Sequence, residues 1–145
     1  MIALLQRVSE AAVRVDGETI GSIGTGLMVL VAVHRDDEDK DVSRLAERIL
    51  GYRVFPDAED RMNRSVQDIG GDLLLVPQFT LAADTKKGTR ASFTRAAPPE
   101  MGEAFFGRLV EACRKSLERV ETGRFGADMK VSLVNDGPVT FWLET

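Results

Sequence analysis

Val13-Arg14-Val15-Asp16-Gly17-Glu18-Thr19-Ile20-Gly21-Ser22-Ile23 reads as two strands joined by a two-residue turn. Val13 and Val15 alternate around Arg14, and Asp-Gly is the pair that tight hairpins favour. Upstream, the first strand extends back to Ile2. Downstream, Gly24-Thr25-Gly26 turns into Leu27-Met28-Val29-Leu30-Val31-Ala32-Val33, an unbroken apolar run typical of a strand buried on both faces. A charged segment, Arg35 to Asp41, then leads into a first helix. Val42, Leu45, Ala46 and Ile49 share one face of it, and it ends near Gly51. Tyr52 to Phe55 reads as a short strand stopped by Pro56-Asp57, Asn63 to Gly71 as loop, and Leu73 to Val76 as another buried strand.

Asp84 to Pro99 lacks periodicity and reads as a loop. Pro98 and Pro99 pre-set the start of a long second helix. Its apolar stripe is predicted to run from Phe105 and Phe106 through Leu109, Val110, Cys113 and Leu117 to Val120. Thr122 to Asp128 is a glycine-containing loop. Met129 to Val134 and Val139 to Leu143 close the chain as strands on either side of Gly137-Pro138. The order is three strands, helix, strands, long helix, strands. This predicts an α/β fold, one domain over residues 1–145, with mixed or antiparallel sheets and two main helices. A hairpin start does not fit a doubly wound parallel sheet. Gly21, Gly24 and Gly26 have no helix behind them, so no phosphate-cradling loop for a nucleotide cofactor is read and none is expected.

The 145 residues suffice for one ordinary core without staples. No apolar stretch is long enough to span a bilayer. Gln6 and Arg7 interrupt the opening apolar residues too soon for a signal peptide, so a cytoplasmic address is expected. One Cys and one His remove most metal-site and triad chemistry: no metal is expected, and any Ser-His or Cys-His pair would rest on His34. Cys113 falls in the helical stripe and reads as a small core residue.

A net charge of −4 argues against bulk attraction to nucleic acid. Between Asp84 and Arg95, however, Lys86, Lys87, Arg90 and Arg95 face Asp84 alone. Such a loop suits brief contact with a few phosphates, or is a solvated loop and nothing more.

Pro77-Gln78-Phe79-Thr80-Leu81 follows the buried strand Leu73 to Val76. Backbone N–H groups come free where a ladder stops, and free donors can hold the oxyanion of an ester passing through a tetrahedral state. Thr80 has no evident base, since His34 ends a different strand, and it ranks as a positioning group above a nucleophile. The plain alternative is a strand end with Phe79 in the core. Likewise Asn135-Asp136-Gly137-Pro138-Val139-Thr140 could be a Gly-Pro hairpin turn.

Both segments together resemble the signature pair of the D-aminoacyl-tRNA deacylases. Gln6-Arg7-Val8-Ser9, Ala83-Asp84-Thr85-Lys86-Lys87-Gly88 with Ser92-Phe93, and Thr122-Gly123-Arg124-Phe125-Gly126-Ala127-Asp128-Met129 match that family as well. The resemblance covers essentially the whole chain. It implies a homodimer whose substrate is an amino acid esterified to the terminal ribose of tRNA. Gly137-Pro138, with a cis peptide bond, would enter the partner subunit's site and exclude L-aminoacyl groups by collision. It also implies Gln78, Phe79 and Thr80 at the reaction centre and Met129 and Phe125 as walls. Lys86, Lys87 and Arg90 would meet acceptor phosphates, and Arg7 would brace the Gly-Pro loop. An already activated ester, assisted by the neighbouring ribose hydroxyl, needs positioning and oxyanion stabilisation more than a protein nucleophile. Because a glycyl group has no side chain to exclude, glycyl-tRNA is an expected second substrate. The alternative is a non-catalytic or editing-type RNA-binding module of the same fold. One departure stands out: the family usually has Ser where this chain has Pro77, which removes a hydroxyl and an N–H.

Overall fold

The computed structural model describes residues 1–145. The elements are β1 (Ile2–Val15), β2 (Glu18–Ile23), β3 (Gly26–Ala32), α1 (Asp39–Gly51), β4 (Phe55–Pro56), β5 (Met62–Arg64), β6 (Asp72–Pro77), a 3-10 turn (Phe79–Ala82), α2 (Pro99–Arg114), β7 (Val120–Thr122) and β8 (Lys130–Glu144). Six strands form one mixed sheet in the order β2-β1-β3-β6-β7, with β8 also paired to β1. The hairpin β1-β2 closes through Asp16 and Gly17, whose positive φ values of 51° and 80° are those a primed turn requires. β3 pairs antiparallel with β1 and parallel with β6, and β6 runs parallel to β7.

Both helices cover one face of the sheet. Leu27, Val29, Leu73 and Leu75 meet Leu45 and Ile49 of α1 and Leu109 and Cys113 of α2 in the main core. Alternate residues point the other way: Met28, Leu74 and Val76 join Val8, Val13 and Ile23 in a second, smaller core on the opposite face. Period-two alternation therefore makes β3 and β6 apolar throughout, as a strand covered on both faces must be. Truncating Leu75, which is wholly buried, to alanine would cost about 2–5 kcal/mol. Burial also pushes the Cys113 thiol up to about 12, which makes it an inert core residue.

Two sequence expectations, and two of the plain alternatives, need correction. Val120 does not continue the second helix, which ends at Arg114; it opens β7 and pairs with Leu73 at the sheet's margin. A β-branched residue there gains ladder bonds and an apolar neighbour together. Asn63 and Arg64, read as loop, belong to β5 and pair with β4, itself shifted to Phe55–Pro56. Phe79 is not a core residue but 57% exposed.

Finally, the segments around Gly137-Pro138 are not the two arms of a hairpin. Both lie on β1, with Thr140 opposite Gln6 and Asn135 opposite Val8. They are one strand, β8, from which Asp136–Val139 arch out over the single residue Arg7.

Candidate active site

A cavity of about 490 Å³ opens where β3 and β6 end, a size ordinary for small-molecule sites. Val31 to Val33 form its floor, Gln78 and Phe79 one side, and Phe125 with Gly126 another. The start of α2 closes it through Pro98, Pro99 and Gly102. Gly102 admits the Phe125 ring closely: a Cβ there would stand 3.3 Å from its Cζ. Phe93 packs on Phe79 with ring centroids 5.2 Å apart and planes tilted by 52°. Two exposed aromatic faces at a cavity mouth can receive a flat apolar ring.

Chain geometry at the end of β6 sets the polar edge. Gln78 N donates to Val31 O at 2.7 Å and is the last ladder bond. The 3-10 turn begins with Leu81 N donating to Gln78 O at 3.2 Å, so the N–H groups of Phe79 and Thr80 precede it without a partner in the turn. Gln78 Nε2 donates to Thr80 Oγ1 at 2.6 Å. That bond occupies the Thr80 oxygen as an acceptor and leaves its proton free to donate. No base is at hand: the side chain of His34 makes no hydrogen bond, and only its backbone is engaged, its N–H donating to Asp37 Oδ2 at 2.6 Å and its carbonyl accepting from Asp37 N at 3.2 Å.

The Gly-Pro arch is held from within and from below. Val139 N donates to Asn135 Oδ1 at 2.9 Å, and Asn135 Nδ2 to Thr140 Oγ1 at 2.9 Å. Arg7 Nε donates to Asp136 O at 2.9 Å and Arg7 Nη1 to Val54 O at 2.6 Å. The Gly137-Pro138 peptide is cis, and Gly137 has φ +144°, a conformation that side chains oppose. Both residues are exposed.

The arch is not part of its own chain's cavity. Arg7 lies opposite Leu27 at the start of β3, whereas the cavity floor is at Val31 to Val33. Four to six residues of strand separate them, roughly 13–20 Å. Met129 does not line the cavity either. It sits behind Pro77 against Gly123, where a Cβ would meet its Sδ at 2.7 Å, and that sulfur accepts Arg124 N at 3.3 Å. Pro77 itself ends β6 opposite Val31, on the cavity wall. Lys86, Lys87 and Arg90 stand exposed on a tight loop closed by Asp84 and Ser92, whose backbones exchange bonds of 2.8 and 3.0 Å.

Phe93, the prolines of α2, Gly102 and Arg35 complete the wall and were not singled out as site residues from the sequence. Only the aromatic at Phe93, within the basic loop, gave a local signal. The carboxyls held below the usual range lie elsewhere: Asp41, mainly through the Glu38 N–H; Asp57, through Asn63; and Asp68, through the Ser65 N–H. No three His, Cys, Asp or Glu side chains are grouped so as to hold a metal ion, and no helix is long and apolar enough to cross a membrane.

Comparison with known proteins places the chain in a family and a fold. The sequence model of the family described as D-Tyr-tRNA(Tyr) deacylase matches residues 4–144. The D-aminoacyl-tRNA deacylase of Alkalilimnicola ehrlichii is 66% identical over 144 residues, covering 99% of this chain and 96% of that one. Its counterpart in Escherichia coli is 57% identical, covering 99% of both. A solved structure titled c-Myc DNA Unwinding Element Binding Protein superposes with a TM-score of 0.96 at 40% identity, over 100% of this chain and 99% of that one. A probable eukaryotic D-amino acid tRNA deacylase shares the fold, with a TM-score of 0.86 at 19% identity over 98% and 97% of the two chains.

Proposed function

The chain belongs to the D-Tyr-tRNA(Tyr) deacylase family and hydrolyses the ester bond of D-aminoacyl-tRNA, and from that premise we propose how its residues divide the work. The terminal nucleoside of the tRNA enters the cavity between Phe79 and Phe125. Its ester carbonyl faces the free N–H groups of Phe79 and Thr80, which receive the developing oxyanion. Water attacks the carbonyl carbon, the ribose oxygen leaves with a proton, and the neighbouring ribose hydroxyl assists. Gln78 holds Thr80 as a donor, so the threonine orients water or carbonyl and does not attack. The observation that carries this reading is the pair of unpartnered amides at the cavity edge, with no protein base in contact with Thr80.

A second copy of the chain supplies Gly137 and Pro138, since a single chain holds its arch and its cavity at opposite ends of β3. The outer edge of β8, with Val131, Val134 and Trp142 exposed, is the kind of open strand that association covers. The arch excludes an L side chain at the Cα and admits a D side chain or none, so glycyl-tRNA is a substrate too. Lys86, Lys87 and Arg90 contact acceptor phosphates. Met129 supports Pro77 from behind, and the hydroxyl lost at Pro77 is dispensable because the backbone carries the chemistry.

Matched D-, L- and glycyl-tRNA incubated with the purified protein test this directly. Rapid ester loss is expected from the D and glycyl substrates and not from the L. Equal D and L rates would end the exclusion reading, and a monomer active at all concentrations would end the shared site.

A further inference from the structure

Arg35 is the one charged residue in the wall of the cavity. It follows β3 across a short antiparallel bridge in which His34 pairs with Ala96. Arg35 N donates to Arg95 O at 3.0 Å and Ala97 N to Val33 O at 2.9 Å, so Arg35 stands directly opposite Arg95. Residues so placed have Cβ atoms about 4.5–5.5 Å apart, and like charges there repel. Neither guanidinium makes a hydrogen bond or an ion pair, although both arginines line a polar hollow of about 310 Å³ that also contains carboxylates. Those carboxylates are engaged elsewhere: Asp37 by the Met1 amine and the His34 N–H, Asp41 by the Glu38 N–H, and Glu38 by Lys40. Asp36 has no partner and pairs with neither arginine.

Two facing cations left without an acid, one of them at the rim of an apolar cavity, form a site for an anion with several acceptor oxygens. Guanidinium forks suit phosphate. We propose that Arg35 and Arg95 clamp the phosphodiester on the 5′ side of the nucleoside held in the cavity. The clamp fixes how deep the 3′ end is threaded, and with it the distance from the ester to the Phe79 and Thr80 amides. This inference rests on the deacylase reading and adds a phosphate subsite separate from the loop of Lys86, Lys87 and Arg90.

The test compares D-aminoacyl-tRNA with 3′-D-aminoacyl-adenosine, which carries the same ester and base but no phosphate. The ratio of kcat/KM for the two substrates is measured for the natural chain, Arg35→Gln, Arg95→Gln and the double variant. The ratio is expected to fall about tenfold for each substitution, the size of one charge-assisted contact. The salt dependence of log kcat/KM on tRNA should also become shallower by about 0.7 per arginine, while Arg35→Lys keeps its slope. An unmoved ratio overturns the clamp, whether both substrates suffer equally or neither does. If the natural chain hydrolysed neither substrate, the deacylase reading itself would fall.

Discussion

Replacing Arg7 by alanine removes the only side chain outside β8 that hydrogen-bonds to the Gly-Pro arch, whose other tie to the body is the packing of Val139 on the main core. Two backbone carbonyls lose a charged donor: Asp136 O in the arch and Val54 O in the segment before β4. A hydrogen bond to a charged group is worth about 1.5–3 kcal/mol where water is partly excluded, which describes the Val54 contact. The Asp136 contact is exposed and contributes less, and the ion pair at 3.8 Å to a carboxylate that is 61% exposed adds little. The fold should therefore lose about 2–3 kcal/mol in total, lowering Tm by roughly 5–10 °C. The effect on function should be larger than the effect on stability. An arch displaced by an ångström no longer blocks the L side chain or frames the substrate, and misplacement of that size costs about 10²-fold in rate. The assay is kcat/KM on matched D- and L-aminoacyl-tRNA, with thermal melts in parallel. Arg7→Lys should recover stability more than it recovers the D/L ratio, because an ammonium lacks the fork that spans both carbonyls. An Arg7→Ala enzyme that melts lower yet keeps both its rate and its D/L ratio would refute the bracing role.

Other substitutions separate the remaining roles. Thr80→Ala should retain activity to within about tenfold, because it deletes one positioning hydrogen bond; near-abolition in a single-turnover assay would indicate covalent participation. Gly137→Ala puts a Cβ 2.6 Å from Val139 Cγ2 and 2.8 Å from Val139 N at φ +144°, so the arch must move. Loss of D-aminoacyl-tRNA hydrolysis by about 10²-fold is expected, and an unimpaired variant would show that the arch tolerates displacement. Asp57 is held below its ordinary pKa by Asn63 and by the N–H groups of Arg61 and Glu59. Its stabilisation is thus present above about 3.9 and lost as pH falls through the lower folded value. Asp57→Asn should therefore flatten the acid limb of Tm against pH, and melts between pH 5 and pH 2.5 would reveal an unchanged limb.

Residues with a local signature declared their structure in the sequence. Asp16-Gly17 closes the hairpin, the apolar run from Leu27 crosses the sheet, and Val42, Leu45, Ala46 and Ile49 face the core from α1. What escaped was pairing between distant segments. Val120 follows Cys113 and Leu117 at helical spacing, and only its partner Leu73 makes it a strand. The two halves of β8 have the pattern of hairpin arms, and only β1, far earlier in the chain, joins them into one. The candidate site divided in the same way. Gln78, Phe79 and Phe125 line one cavity, whereas Phe93, Pro98 and Arg35 arrive from segments without periodicity and Gly102 from the first turn of α2, ahead of its apolar stripe. Met129 lies behind that wall because Gly123 leaves room for its sulfur there.

The footing of the arch also limits its reach. Asn135 and Thr140 are pinned to β1 on either side of Arg7, so the four residues between them have fixed ends and cannot borrow length from β8. Five Cα-to-Cα steps of about 3.8 Å, spent outward and back, carry the tip less than about 10 Å beyond the sheet. Under the shared-site proposal, the spacing between two protomers is gauged by a residue count. Extending the arch by one residue would push the tip into the opposing cavity, and shortening it by one would leave a gap wide enough for the side chain it keeps out.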